Sequence, residues 1–313
     1  MIKGEPTGEL HVAVCVCTYR RPRQLGRLLD SFRFMARPPL TSFVIVDNDG
    51  DDPEVRKKIH AFRSECGSRV EYLVERKPGI SAARNAAFAV ARSLGAQAVA
   101  MLDDDERVSP LWLSSLLEAR NNSGAAIVGG PVHPILPDSK RRFAKYARLW
   151  SVPKVLLHGR PYVYCTCNFL IELSAAATLG DEPFVREFGS TGGEDAVFFR
   201  RLFFAGVEMA WSEEAVLFEE ISEARASVGW LRRRWYRMGN VGLRCERAAP
   251  DPEALSPLLK TILLSLRLLV LPVYNFEVLG SPLLWLLEAD RIRGRLASHL
   301  GIVFHEYGRE EPG

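Results

Sequence analysis

Within the first 135 residues, short β-rich runs alternate with helix-like stretches. The runs lie at His11–Cys17, Ser42–Val46, Val70–Glu75, Gln97–Leu102 and Ala125–Val132. The stretches between them are Arg21–Met35, Pro53–Cys66, Ser81–Leu94 and Ser109–Arg120. VAVCVC, FVIV and AVAML are almost continuously apolar, the pattern of strands buried on both faces. Such alternation needs right-handed crossovers, so it predicts an α/β fold with a mainly parallel sheet flanked by helices. Ligands bind such sheets beyond the carboxyl ends of the strands, so the residues just after each strand are the ones to read for chemistry.

After residue 135 the alternation stops. A strand-like YVYCTCNFLIE comes after a proline- and aromatic-rich stretch, and a helix is expected from Glu194 to a stop at Gly206. A short strand pair is expected around Val207–Glu219, then a basic helix from Ser227 to about Glu246. The chain carries 41 basic and 38 acidic side chains, net +3, which gives no global nucleic-acid signature. Six cysteines in 313 residues form no disulfide framework, and Met1–Leu10 hold no apolar signal core. A reducing cytosol is therefore predicted. Cys15/Cys17 and Cys165/Cys167 lack the usual zinc spacing and read as small core residues of strand-like runs.

The first strand ends in Thr18-Tyr19-Arg20-Arg21-Pro22, which offers a ring to stack on a base or simply a turn closed by proline. The second ends at Asp47-Asn48-Asp49, where a carboxylate can accept a ligand N–H or hydroxyl. Asp51 and Asp52 are explained equally well by turns and capping before Pro53. After the third strand, Ser81 is expected to cap a helix whose first turn holds Arg84 and Asn85. A cation there opposes the helix dipole unless a phosphate or carboxylate faces it.

The fourth strand ends in Met101-Leu102-Asp103-Asp104-Asp105-Glu106. Consecutive carboxylates at a strand mouth repel one another unless a cation joins them, and hard oxygens select Mg2+ or Mn2+. Ser109 and Pro110 are expected to start the next helix, so these aspartates are not needed as caps. Finally, Ser190-Thr191-Gly192-Gly193-Glu194-Asp195 opens a helix: its acids serve either as caps or as a general base, and its glycines permit close approach.

In order, VAVCVCTYRRP, FVIVDND, RKPGISAARN, MLDDDE, Gly129-Gly130-Pro131 and TGGED resemble the family-2 glycosyltransferases of the GT-A (Rossmann-like) nucleotide-sugar fold, across residues 12 to about 200. The helix WLRRRWYRMG is similar to that of bacterial members building surface polysaccharides. No G-x-G-x-x-G comes after the first strand, which counts against a dinucleotide enzyme.

The resemblance implies an inverting transfer from a nucleoside diphosphate sugar, a UDP-sugar, to an acceptor hydroxyl. Asp195, beside Glu194, matches the catalytic base. Asp47 would hold the nucleotide base, with Thr18, Tyr19, Arg20, Asp49 and Arg84 nearby. Asp104 would face the ribose with Asp103 behind it, and Asp105 would bind Mg2+ or Mn2+. Arg234, Arg237 and Asn168 are candidates for the diphosphate or the acceptor. Processive relatives carry Q-x-x-R-W where this chain has Leu231-Arg232-Arg233-Arg234-Trp235, a departure that argues against processive synthesis.

The tail Leu255–Leu300 is apolar but broken by Lys260, Arg267, Pro272, Glu277 and Pro282. On a helical wheel Lys260, Thr261, Ser265 and Arg267 share one side, which suits a helix lying in the plane of a membrane surface or one packed on the protein. The expected organisation is a catalytic domain over 1–250, with a nucleotide-sugar half over 10–132 and an acceptor half over 133–250, then an apolar helical segment over 251–313. The expected enzyme works peripherally at the inner membrane face, on a saccharide acceptor carried by a lipid, without nucleic acid. A sugar-phosphate nucleotidyltransferase is the alternative, although it needs a glycine-rich loop that TYRRP lacks. A non-catalytic membrane partner would give no reason for both acidic clusters, and a cyclase reading of GGED leaves the α/β half unexplained.

Overall fold

The computed structural model describes residues 10–50, 52–274 and 281–305, with side chains omitted over 270–274. The leader reading before Leu10, Asp51 and Glu277 lie outside the described residues. The expected alternation is present as β1 (Val12–Thr18), α1 (Pro22–Phe32), β2 (Thr41–Asp47), α2 (Pro53–Glu65), β3 (Arg69–Val74), α3 (Ile80–Ser93) and β4 (Ala98–Asp103). Then come β5 (Glu106–Val108), α4 (Trp112–Ser123), β6 (Ile127–Gly129) and β7 (Val132–Ile135). A 3-10 helical stretch (Asp138–Leu149) leads to β8 (Val155–Leu157), β9 (Arg160–Tyr162), β10 (Asn168–Glu172), α5 (Leu173–Ala177) and α6 (Glu194–Phe204). The chain continues through β11 (Met209–Trp211), β12 (Leu217–Glu220), α7 (Val228–Ala248), α8 (Pro257–Tyr274) and α9 (Pro282–His299).

A seven-stranded sheet in the order β11-β6-β10-β4-β1-β2-β3 forms the centre. β4, β1, β2 and β3 run parallel, and β10 is antiparallel to both its neighbours. Helices cover both faces. Leu25, Leu28 and Phe32 of α1, Phe62 of α2 and Trp112 of α4 pack on one side. Phe88 of α3, Phe184, and Phe198 and Phe199 of α6 pack on the other, with Phe184 and Phe198 stacked at 4.4 Å. Each fully buried aromatic or aliphatic side chain of this kind stabilises by roughly 1.5–3 kcal/mol.

Several local expectations are corrected. The run Ala125–Val132 is two strands, because Gly130-Pro131 breaks it and sends β7 into a separate sheet ordered β5-β12-β7. β11 and β12 do not pair with each other; β11 joins β6, and β12 lies between β5 and β7. YVYCTCNFLIE is not one strand: Tyr162 ends β9 and Asn168–Glu172 forms β10, so half-buried Cys165 and Cys167 lie in the stretch between them, with their sulfurs 2.9 Å apart. Ser81 does not cap α3: Gly79 does, at φ 105°, and Ser81 Oγ donates instead to the Val185 carbonyl. Leu111 rather than Ser109 precedes α4. Asp52 does cap α2, accepting from the Glu54 N–H at 2.8 Å, and Ser227 caps α7.

α7 and α9 cross in close contact at two glycines. A Cβ on Gly239 would lie 1.8 Å from the Arg291 carbonyl oxygen, and one on Gly294 1.9 Å from that of Tyr236. α8 turns its polar side inward: Lys260 pairs with Glu246 at 2.7 Å, and Thr261 meets His299 and Arg295. Leu258, Leu259, Ile262, Leu263, Leu266 and Leu269 remain exposed on its other side, as does Arg267. Among the described residues, no helix is long and apolar enough to cross a membrane.

Candidate active site

The strand order brings the carboxyl ends of β4, β1 and β2 side by side, with Thr18 opposite Asp47 and Cys17 opposite Asp103. The acid triplet begins where β4 ends, and Glu106 folds back to accept the Asp103 N–H at 2.8 Å. Thr18 Oγ1 donates to Asp104 Oδ2 at 2.8 Å, while Arg21 reaches Asp104 Oδ1 at 3.1 Å. Burial pushes the Asp104 carboxyl up to about 7, although Arg21 and Thr18 oppose the shift. Asp105 Oδ2 accepts from Arg21 and from Arg225, each at 3.2 Å, and Arg225 also holds Glu219 at 2.6 Å.

At the end of β2, Asp47 is fully buried and accepts from Tyr72 Oη and the Asp49 N–H, both at 3.0 Å. Tyr19 is exposed, and Arg20 lies over its ring while pairing with Asp49 at 2.8 Å. Thr18, Asp47, Asp103 and Asp104 thus cluster at the carboxyl ends of three adjacent strands.

Glu194 and Asp195 open α6 just after Gly192 and Gly193, both at positive φ. A side chain at Gly193 would strike Val241 and Cys245 of α7, so only glycine lets the two helices meet here. Buried Arg84 joins this helix start to the triplet, pairing with Glu194 Oε1 and with Asp103 Oδ1, the latter at 3.4 Å. The neighbouring acids outweigh burial and push the Arg84 guanidinium up; burial pushes Glu194 up to about 7. Glu194 Oε2 is buried without a hydrogen-bond partner. Asp195 is half-buried, and its Oδ1 accepts from the Ala196 N–H.

α7 brings its arginines to the same place. Arg234 and Arg225 each lie 5.1 Å from the Trp230 ring, and burial together with Arg237 and Arg225 lowers the Arg234 pKa. Arg237 Nη1 lies 3.6 Å from where a Gly192 Cβ would stand. Like Asp47, Asn168 is withdrawn from the surface. It is 1% exposed, donating to the Pro131 and Ala215 carbonyls and accepting from Trp112 Nε1. The sequence reading gave no role to Arg225, and placed Arg21 at the end of the first strand without assigning it a contact.

The donor set suits a hard divalent cation, but no group of three or more His, Cys, Asp or Glu able to hold a metal occurs among the described residues. Asp104 and Asp103 are engaged with Thr18, Arg21 and Arg84, which leaves Asp105, whose partners are two guanidinium groups. Asp105 is therefore the residue that would hold such a cation, once its guanidinium partners give way.

Solved glycosyltransferases share the fold. The mannosyltransferase PcManGT from Pyrobaculum calidifontis, solved in complex with GDP-Man and Mn2+, superposes with TM-score 0.61 at 16% identity, covering 96% of this chain and 90% of that one. TarS 1-349 of S. aureus gives 0.53 at 14%, covering 97% and 98%. The chain thus has the fold of these enzymes, the GT-A fold. The profile described as Glycosyl transferase family 2 matches residues 13–178, and the chain belongs to that family. The succinoglycan biosynthesis protein ExoM of Rhizobium meliloti (strain 1021) is 36% identical over 238 residues, 75% of each chain. A glucosyl-dolichyl phosphate glucuronosyltransferase of Haloferax volcanii is 28% identical over 146 residues, 46% of this chain and 45% of that one.

Proposed function

We propose that this enzyme moves a sugar from a UDP-sugar to a hydroxyl of a lipid-linked saccharide, with inversion, in polysaccharide or glycolipid synthesis. The observation that carries the reading is the junction at Arg84, which ties the helix start bearing Glu194 and Asp195 to the acid triplet. Thr18, Tyr19, Arg20, Asp47, Asp49, Arg84, Asp103 and Asp104 serve the nucleotide side. Arg234 and Arg237 serve the diphosphate or the acceptor; Asn168 supports that wall from within. Asp195 takes the acceptor proton as the hydroxyl attacks the anomeric carbon opposite the leaving group. One base and one displacement invert the centre. Asp105 would hold Mg2+ or Mn2+, which when bound stabilises charge on a departing diphosphate.

The polysaccharide context is supported by likeness to the succinoglycan biosynthesis protein, and a lipid phosphate acceptor by the dolichyl phosphate relative. The exposed leucines of α8 support a peripheral position on the inner membrane face, where such an acceptor lies.

A panel of UDP- and GDP-sugars with lipid-linked saccharides, in Mg2+ or Mn2+, tests the reading. Release of nucleoside diphosphate, lowered by a factor of about 100 or more in Asp195→Asn with nucleotide binding retained, is expected. Pyrophosphate release from a nucleoside triphosphate and a sugar phosphate would instead establish the nucleotidyltransferase.

A further inference from the structure

Asp105 is shared by two arginines from distant parts of the chain. Arg21 leaves the turn after β1, and Arg225 lies between β12 and α7; each is 3.2 Å from the same oxygen, Oδ2. Neither is buried out of reach: their side chains are 48% and 23% exposed. Arg21 also touches Asp104 at 3.1 Å, and Arg225 spans to Glu219 while lying over Trp230, with Arg234 at the same ring.

A carboxylate oxygen in contact with two guanidinium groups is poorly available to a divalent cation. The cation needs an oxygen at about 2.1 Å, and its charge repels both arginines at close range. A diphosphate changes the balance, because its oxygens accept from the guanidinium fork at least as well as a carboxylate does. Both arginines already stand beside the oxygen such a cation would take, so the exchange requires only side-chain reorientation.

We infer that Arg21 and Arg225 are exchange ligands: they hold Asp105 while no cation is bound, and pass to the donor's diphosphate when nucleotide and cation arrive together. This rests on the donor-site reading above. The arginines therefore weaken binding of a cation on its own and strengthen binding of the cation–nucleotide pair. Asp105 is thereby reserved for a cation accompanied by phosphate.

The test is a Mn2+ titration of the full chain, monitored by the paramagnetic resonance of free Mn2+, alone and with UDP or GDP. Arg21→Ala and Arg225→Ala are compared with the unsubstituted protein. Arg225→Gln, which keeps much of the side-chain length, serves where alanine does not fold. Expected is severalfold tighter Mn2+ binding without nucleotide in each variant, together with at least tenfold weaker binding of the Mn2+–nucleotide pair. Damage to the fold would weaken both, so opposite signs are the signature. Unchanged Mn2+ affinity, or loss in both titrations, with an unshifted thermal midpoint would overturn the exchange and leave the arginines structural. Failure of the unsubstituted protein to bind either nucleotide would overturn the donor-site reading itself, and the exchange with it.

Discussion

The side-chain amide of Asn168 is spent inside the protein, on Trp112 Nε1 and on the carbonyls of Pro131 and Ala215. Asn168→Ala removes all of these bonds and leaves the Trp112 indole N–H and the Ala215 carbonyl without a partner in the interior, while the Pro131 carbonyl keeps the Leu217 N–H. We expect a loss of about 3 kcal/mol in chemical denaturation, with nucleotide affinity falling less than stability does. The position of Asn168 in the chain left its role open. It lies within the strand-like run YVYCTCNFLIE, and the groups it satisfies come from segments 37 to 56 positions away. The acid triplet was legible because its members are consecutive and terminate an apolar strand. The Arg225–Asp105 contact was not, because it spans 120 positions and no local period marks it.

At the scale of elements, glycines decide how the helices meet. Gly193 admits the start of α6 to the face of α7, and Gly239 with Gly294 lets α9 lie on α7. Gly239→Ala would drive a methyl into the Arg291 carbonyl, which as backbone cannot yield cheaply. Separating the two helices should cost about 3 kcal/mol and lower the thermal midpoint, measured by circular dichroism. The glycine pair before Glu194 was readable as a place of close approach; Gly239 was not, since nothing in YRMGN announces its partner. The strand–helix alternation emerged from apolar runs alone, whereas the break at Gly130-Pro131 divided a run that looked continuous. α8 carries a prediction of its own. Its inward polar side leaves a row of leucines outside, so Leu266→Ser with Leu269→Ser should lower binding to anionic phospholipid vesicles at least tenfold. Being surface changes, they should leave the thermal midpoint almost unmoved. Equal sedimentation of variant and unsubstituted protein with the vesicles would remove α8 as the membrane contact.

Across the whole molecule, the parallel strands carry Thr18, Asp47 and the acid triplet at their carboxyl ends, while α6 and α7 bring Glu194, Asp195 and the arginines from later in the chain. The first part could be read from apolar periodicity and from the polar residues at each strand's carboxyl end. The second depends on long-range packing, through Gly193 and the Arg84 pairs, and becomes visible only in three dimensions. The central claim is that this junction is a donor site whose cation is held through Asp105. Calorimetric titration with UDP and GDP, in Mn2+ or Mg2+ and then with chelator, tests it most directly. Binding of a nucleoside diphosphate that requires the metal and falls at least tenfold in folded Asp105→Ala is the predicted result. Binding that survives both the chelator and Asp105→Ala unchanged, or no binding at all by the folded, metal-supplied protein, would contradict it.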